Sequence, residues 1–211
     1  GRPRIPQLPG TFGGQSHHTS EVRASDIGDQ ERVVIVGSGN SAVDIAARLL
    51  AREMKLTLAT RSEISPAVGL ANEPISSLMW WLSALPTSWL PSALRCTSTV
   101  PKVDDDLQIA AADGRLRVVG EAVGLEEGAL LVGRGERIPA DRIIWATGFR
   151  RDLAWISALT LDDNGVPRHR RGLSTELPGL AFMGLPCMRN RRSGFLRGHS
   201  ADARNIIRRL R

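Results

Sequence analysis

The clearest pattern of hydrophobic and polar positions in this chain lies between residues 31 and 50. Arg32 to Val36 contains four consecutive β-branched aliphatic residues, which predict a strand buried on both faces of a parallel sheet. Apolar residues then recur at helical spacing from Ala42 to Leu50, which predicts an amphipathic helix. Lys55 to Thr60 alternates in character and predicts a second strand. Together these residues predict a strand–helix–strand unit.

The turn between the first strand and the helix carries a glycine motif. Its residues are Gly37, Ser38, Gly39, Asn40, Ser41 and Ala42, which match the G-x-G-x-x-A dinucleotide fingerprint. Gly37 permits the tight turn, Gly39 lets backbone N–H groups approach a pyrophosphate, and Ala42 keeps the helix close to the strand. A glycine-rich turn without a ligand is the alternative, but the strand before it and the helix after it favour a cofactor site. We therefore predict an α/β, Rossmann-like dinucleotide-binding domain in which all six residues contact cofactor.

The end of the second strand indicates which nucleotide would bind. An acidic side chain at this point would bind the ribose of NAD, whereas this chain has Arg61 followed by Ser62. A guanidinium group can bind the 2′-phosphate of NADP through two parallel hydrogen bonds. We therefore predict NADPH as the ligand of Arg61 and Ser62. The alternatives are NAD, and an arginine that is merely solvated at a strand end.

The segments on either side of this unit have different compositions. Residues 1–30 are rich in proline and glycine and predict an extended linker. Residues 64–95 contain three tryptophans and a long uncharged run. Prolines and serines interrupt that run, so it predicts two short amphipathic helices, with a membrane span as the disfavoured alternative.

The second half of the chain is divided by glycines into shorter elements. Residues 100–142 predict short strands and hairpins, and residues 141–149 predict a buried strand that returns the chain to the sheet. Residues 180–185 also have a strand-like pattern. The last helix is expected to begin with Ser200 as its N-cap and to run to the end of the chain.

Charge and cysteine content narrow the possible functions. The net charge is +6, and an arginine cluster lies between residues 189 and 211. Phe195 is the only aromatic residue in that cluster, so nucleic-acid binding is a weaker alternative. Cys96 and Cys187 have neither metal-site nor redox spacing, and free thiols in a reducing cytoplasm are expected. Residues 1–10 contain no apolar leader, which also favours a cytoplasmic protein.

Several motifs, taken in order, carry a family resemblance. They are a proline-rich stretch at 3–10, Phe12, Gly14 and His18 as F-x-G-x-x-x-H, the fingerprint with Arg61, the D-x-x-x-x-A-T-G-F strand at 141–149, and the segment 184–203. The set resembles flavin-containing monooxygenases and related flavoproteins with two dinucleotide sites. Val22 departs from the pattern, because the family has an aromatic residue there. The family's N-terminal FAD fingerprint is also missing from this sequence, so the chain is expected to be a fragment.

The resemblance implies both cofactors and an activity. NADPH would reduce FAD, and a flavin hydroperoxide would oxygenate a small-molecule substrate. The implied flavin contacts are Ala146, Thr147, Gly148 and Ser200, and neither a catalytic side chain nor a metal is expected. His17 and His18 would be hinge and linker residues near the nucleotide and not general bases, with a solvated pair of loop histidines as the alternative.

The resemblance also implies a division into domains. It places an interdomain linker at 1–30, an NADPH-binding domain at 31–145 with the tryptophan-rich insertion 64–95, and the C-terminal part of an FAD-binding domain at 146–211. Exposed apolar surface on such a fragment would allow self-association. The alternative function is a non-catalytic nucleotide-binding remnant or an interaction module.

Overall fold

The computed structural model describes residues 1–61, 85, 105–163 and 165–210. These residues form two compact units. The sheet unit contains residues 2–61 and 105–149, and the C-terminal unit contains residues 150–163 and 165–210. Ser62 and, apart from residue 85, the predicted helices of the 64–95 segment lie outside the described residues.

Nine strands and two helices are described within the sheet unit. The strands are β1 (Arg2–Pro3), β2 (Gln15–His18), β3 (Val33–Val36), β4 (Leu56–Ala59), β5 (Leu116–Val119), β6 (Ala122–Glu126), β7 (Ala129–Val132), β8 (Glu136–Pro139) and β9 (Arg142–Trp145). The helices are α1 (Asn40–Leu50) and α2 (Asp105–Ala112), and a 3-10 turn spans Ala24–Asp26. A short strand β10 (Phe149–Arg150) follows at the unit boundary.

The centre of this unit is a five-stranded parallel sheet with the order β2-β9-β3-β4-β5. Alternate residues of its central strand face opposite layers, as strand geometry requires. Val33 and Ile35 pack with the buried residues of α1 and α2, whereas Val34 and Val36 pack with those of the antiparallel sheet β6-β7-β8. The three layers are thus helices, parallel sheet and antiparallel sheet, which confirms the predicted Rossmann-like α/β fold.

The first 30 residues are more ordered than the expectation of an extended linker. Within them β2 pairs with β9 as the edge strand of the parallel sheet. Before β2, the chain packs on the antiparallel sheet, where the Leu125 N–H donates to the Pro9 carbonyl at 2.8 Å. Gly10 makes this approach possible, because a Cβ at that residue would lie 1.9 Å from the Leu125 carbonyl oxygen.

Residues 105–112 form helix α2, so the prediction of strands beginning near residue 100 is wrong for this part. Leu107 and Ala110 are fully buried and belong to the same apolar cluster as α1. Their spacing of three residues places both on one face of a helix. The hairpin prediction holds for the next part of the chain, where β6, β7 and β8 pair antiparallel.

The C-terminal unit has little regular structure. The short strands β11 (His169–Arg170) and β12 (Leu173–Ser174) pair antiparallel, and a 3-10 turn at Arg191–Gly194 precedes helix α3 (Leu196–Leu210). A small apolar cluster forms its core: Phe182, Leu185, Met188 and Ile206. The predicted strand at 180–185 is reduced to one bridge between Leu173 and Ala181. None of the helices in the described ranges is long and apolar enough to cross a membrane.

Two predictions for this unit are wrong. Ser200 is not the N-cap of the last helix, because α3 begins at Leu196 and Ser200 is an exposed residue of its second turn. The helix can begin this early because Gly198 has no side chain, and a Cβ there would lie 2.1 Å from the Arg192 carbonyl oxygen. Cys187 is disulfide-bonded and is therefore not the free thiol that was expected. The other cysteine of the chain, Cys96, lies outside the described residues.

Candidate functional site

The carboxyl ends of the parallel strands meet at one edge of the sheet. The last residues of β3, β4 and β9 are aligned, since Val36 lies opposite both Ala59 and Trp145. The chain continues from β3 to β4 on one side, whereas β9 occupies the other side. A crevice outside the strand ends is expected where the order changes direction in this way, and ligands of open α/β sheets bind in such crevices. The fingerprint lies at this position.

The two glycines of the fingerprint have different environments. Gly37 has a φ of +130°, and a Cβ on it would lie 2.4 Å from the Ala146 carbonyl oxygen. Gly39 has an ordinary φ of −82°, and a Cβ on it would meet no atom of the described chain within 4 Å. The fold itself therefore requires glycine at position 37. At position 39 glycine leaves space open in front of the helix.

The open space at Gly39 adjoins the N-terminus of α1. Gly39 is the N-cap of this helix and has no side chain that could accept a hydrogen bond from the first turn. Asn40 and Ser41 begin the helix and are exposed, and Ala42 is fully buried against the sheet. Unpaired N–H groups and the helix dipole favour an anion at such an end. The residues therefore fit a pyrophosphate, as the fingerprint predicts.

Arg61 follows β4 at the same edge, where the sequence places it. Its side chain is 74% exposed, and its Nε donates to Glu121 Oε1 at 2.6 Å. A guanidinium has several N–H donors, so this ion pair leaves capacity for a phosphate. Glu121 comes two residues after β5 and was not predicted as part of the site, because its pairing with Arg61 is not local in sequence. Its carboxylate could also accept hydrogen bonds from a ribose.

The Ala146–Gly148 segment follows β9 and is held by residues from the start of the chain. The Ala146 N–H donates to the Val36 carbonyl at 2.8 Å, and the Thr147 hydroxyl donates to the Arg4 carbonyl. The Gly148 carbonyl accepts from the Arg4 N–H and from His18 Nε2, both at 2.9 Å. These contacts fix the backbone of three predicted flavin-binding residues.

His18 is fully buried, and both of its ring nitrogens are hydrogen-bonded. Nε2 faces the Gly148 carbonyl, while Nδ1 accepts from the Ser20 N–H at 3.2 Å and lies 2.8 Å from the Ser20 hydroxyl. In this pattern Nε2 is the donor and Nδ1 the acceptor. A ring engaged in this way connects β2 to the segment after β9.

The other residues of the F-x-G-x-x-x-H motif also have packing roles in the structure. Phe12 packs against the cluster between the two sheets. Gly14 passes close to the sheet, where a Cβ would lie 2.5 Å from the Asp141 carbonyl oxygen. Val22, which replaces the expected aromatic residue, packs against the cluster formed by α1 and α2.

Comparison with known proteins agrees with this geometry. Residues 1–78 match the family model described as pyridine nucleotide-disulphide oxidoreductase. The chain is 28% identical to an uncharacterized CzcO-like oxidoreductase of Geobacillus kaustophilus, over 90% of this chain and 55% of the relative. It is 27% identical to flavin-containing monooxygenase 5 of Cavia porcellus, over 82% of this chain and 38% of that enzyme. It thus spans about half the length, or less, of these relatives.

A solved structure has the same fold over nearly the whole chain. The flavin-containing monooxygenase from Stenotrophomonas maltophilia superimposes with a TM-score of 0.75 at 20% identity, covering 99% of this chain and 58% of that one. The matched family model and this neighbour make the chain similar to FAD/NAD(P)-dependent oxidoreductases. Within this class the chain is similar to proteins named flavin-containing monooxygenases, which confirms the resemblance predicted from the sequence.

Proposed function

We propose that the protein is an NADPH- and FAD-dependent oxidoreductase of the flavin monooxygenase type. In this proposal residues 37–42 bind the pyrophosphate of NADPH, and Arg61 and Ser62 bind its 2′-phosphate. The observation that carries the proposal is the N-terminus of α1, which has no side-chain cap and faces space that the described residues leave open at Gly39, with Arg61 at the end of the adjacent strand.

The residues of this chain would bind and orient the cofactors. When bound, FAD supplies the redox chemistry with NADPH and with the small-molecule substrate. Ala146, Thr147 and Gly148 are the proposed flavin contacts of the sheet unit. The contacts with Arg4 and His18 give them a fixed backbone, which favours this role because preorganised groups lose little entropy on binding. Ser200, an exposed residue of α3, is a proposed contact through its hydroxyl group.

A substitution at Gly39 tests the nucleotide site directly. Gly39→Val is expected to abolish NADPH binding in a calorimetric titration, because the side chain would occupy the pyrophosphate's space. The melting temperature should change little, since the backbone is not strained at this residue and a Cβ has room. Wild-type affinity for NADPH in this variant would place the nucleotide elsewhere.

Arg61→Ala tests the choice between NADPH and NADH. Loss of hydrogen bonds to a charged phosphate should weaken NADPH binding by about 1.5–3 kcal/mol, or roughly 10- to 150-fold, with little effect on NADH. Arg117→Ala is the matched control, because Arg117 is also an exposed arginine of the sheet unit and also pairs with a glutamate, Glu136. An equal loss for both nucleotides would exclude the 2′-phosphate as the ligand of Arg61.

Glu121→Gln provides a test with opposite outcomes for the two nucleotides. If Arg61 binds the 2′-phosphate, removal of the neighbouring negative charge should strengthen NADPH binding by a few-fold, on the order of 1 kcal/mol or less. If Glu121 instead binds the ribose hydroxyls of NADH, the same substitution should weaken NADH binding. The second result would replace NADPH by NADH in the proposed function.

The oxidoreductase part of the proposal needs a test of its own. With FAD and a polypeptide that carries an N-terminal FAD fingerprint of this type supplied in trans, the protein is expected to oxidise NADPH, which can be followed by the loss of NADPH absorbance. Binding of NADPH without oxidation under these conditions would instead favour the alternative of a non-catalytic nucleotide-binding module.

A further inference from the structure

A groove with a volume of about 580 Å³ lies beside α1 within the sheet unit. Cavities of this size are typical of sites for small organic molecules. One wall is a face of α1 that presents Ser41, Asp44, Ile45 and Arg48, whose spacing places them on one side of the helix. The opposite wall is formed by residues between 19 and 25, and Phe149 also lines the groove.

Contacts at both ends hold the 19–25 wall in place. At its start, the buried His18 ring is hydrogen-bonded to Ser20 and packs edge-on against Phe149, with ring centroids 4.8 Å apart and an interplanar angle of 73°. At its other end, the Arg52 guanidinium donates to the carbonyls of Ala24, within the wall, and Ile27, just beyond it, the latter at 2.7 Å. The groove is therefore preorganised and does not require folding upon binding.

The chemistry of the lining suits a molecule with an apolar body and a negative charge. Val22, Ile45 and Phe149 supply apolar surface. Two arginines, Arg23 and Arg48, also line the groove, whereas Asp44 is the one acidic residue described along it. Arg48 Nε donates to Asp44 Oδ2 at 3.1 Å, which engages one of its several donors. The remaining donors, with Arg23, can bind a carboxylate.

We propose that this groove binds a small organic acid, in which a carboxylate pairs with Arg23 and Arg48 and an apolar group contacts Ile45 and Phe149. As an assignment of substrate class, this rests on the proposed oxidoreductase function. The groove begins at Ser41, within the fingerprint, and its arginines could also bind a phosphate of the nucleotide itself. An experiment must therefore separate a carboxylate ligand from a nucleotide phosphate.

Phenylacetate and its neutral counterpart phenylacetamide are suitable probes for the 211-residue protein, with binding followed by ligand-observed NMR. Phenylacetate is expected to bind about 10-fold more tightly than phenylacetamide, which is the order expected for one charge-assisted pair. The double variant R23Q/R48Q should abolish this preference. R117Q is the matched control and should retain it. D44N should strengthen phenylacetate binding, because it removes the competing carboxylate.

The other outcomes of these binding experiments separate a carboxylate site from part of the nucleotide site. No binding of phenylacetate, or equal binding of both probes, would overturn the proposal. Displacement of phenylacetate by NADPH would also overturn it, because the arginines would then belong to the nucleotide site. Unchanged NADPH affinity in R23Q/R48Q, together with loss of phenylacetate binding, would support it. If phenylacetate binds with the expected preference but NADPH does not bind, the groove assignment holds and the proposed cofactor function fails.

Discussion

The sheet unit and the C-terminal unit achieve stability in different ways. In the sheet unit, strands with fully buried aliphatic residues such as Ile35 and Ile144 are covered on both faces, and backbone hydrogen bonds connect all five strands. In the C-terminal unit the described apolar core is small, and Asp202, Asn190 and Ser193 are buried beside it. The stability of the sheet unit therefore depends on how much apolar volume is buried. The stability of the C-terminal unit depends on whether each buried polar group has a hydrogen-bond partner.

The polar contacts of the C-terminal unit are few and specific. Asp202 Oδ1 accepts from Arg189 Nε at 2.7 Å, and Asp202 Oδ2 is buried with no hydrogen-bond partner among the described residues. The Ser193 hydroxyl accepts from the backbone N–H groups of Arg189 and Asn190, at 3.2 Å and 3.4 Å. The Ser193 bonds hold the 3-10 turn against the residues before it, and the bond from Arg189 to Asp202 ties those residues to α3. The pairing of Asp202 is incomplete, so loss of its one described partner should be costly.

The largest effect is expected in the core of the sheet unit. Ile35→Ala should lower the free energy of unfolding by about 4 kcal/mol, because the residue is fully buried in the central strand and a cavity would remain. Denaturant titration measures this loss. Ile109→Ala is the control, since Ile109 is 58% exposed on α2 and should cost under about 0.5 kcal/mol. Similar losses for the two variants would contradict the assigned core.

The second prediction compares glycines of the two units. Gly37→Ala should cost about 3 kcal/mol, because the residue has a positive φ and the new Cβ would strike the backbone of the segment after β9. Gly172→Ala, also at a positive φ, should cost about 1–2 kcal/mol. Its Cβ would lie 2.9 Å from the sulfur of Met188, which is flexible, and 3.0 Å from the Phe182 carbonyl oxygen. Thermal unfolding of both variants checks the order, and a larger loss at Gly172 would reverse the comparison.

The third prediction concerns the buried carboxylate. Arg189→Met should destabilise the C-terminal unit by about 2 kcal/mol, less than for a fully buried pair, because the arginine side chain is 29% exposed. The double variant Arg189→Met/Asp202→Leu should recover most of the loss, since no unpaired charge then remains. Both values follow from denaturant titration. A double variant no more stable than the single one would show that the carboxylate has other favourable contacts.

The same contrast explains which parts of the molecule could be predicted from the sequence. Strands β3, β4 and β9 and helix α1 were predicted to within a few residues, because each carries a strong local period of apolar positions. The start of α3 was missed, because Gly198 resembles a helix breaker and Ser200 an N-cap until the close approach of Arg192 is known. Helix α2 was missed because a short segment that ends at the turn signal Asp113-Gly114 also suits the first strand of a hairpin.

The features of the candidate site also differ in whether the sequence alone predicts them. The fingerprint and Arg61 are local signals at the ends of predicted strands, and the structure places them at one edge of the sheet. The pairing of Glu121 and the groove beside α1 depend on contacts between segments that are distant in sequence, so no local pattern predicts them. Val22 was noted as a departure from the family pattern, but its place in the groove lining could not be derived from the sequence.

The smallest expected effect is a difference between the units in their response to acid. Burial lowers the pKa of His169 in the C-terminal unit below its ordinary 6.5. A hydrogen bond from Arg142 lowers the pKa of Glu31 in the sheet unit below its ordinary 4.5. In both cases the unfolded chain binds the proton more readily, so each contribution is present at neutral pH and is lost as the pH falls. The loss begins below 6.5 for His169 and only below 4.5 for Glu31.

Acidification should therefore weaken the C-terminal unit first. Hydrogen exchange, corrected for its intrinsic pH dependence, should show protection falling in residues 165–210 at a higher pH than in residues 31–61. His169→Gln should reduce the pH dependence in the first range and leave the second unchanged, whereas Glu31→Gln should do the opposite at lower pH. Earlier loss of protection in the parallel sheet would contradict both pKa assignments. It would also mean that apolar burial does not make the sheet unit the more acid-resistant of the two.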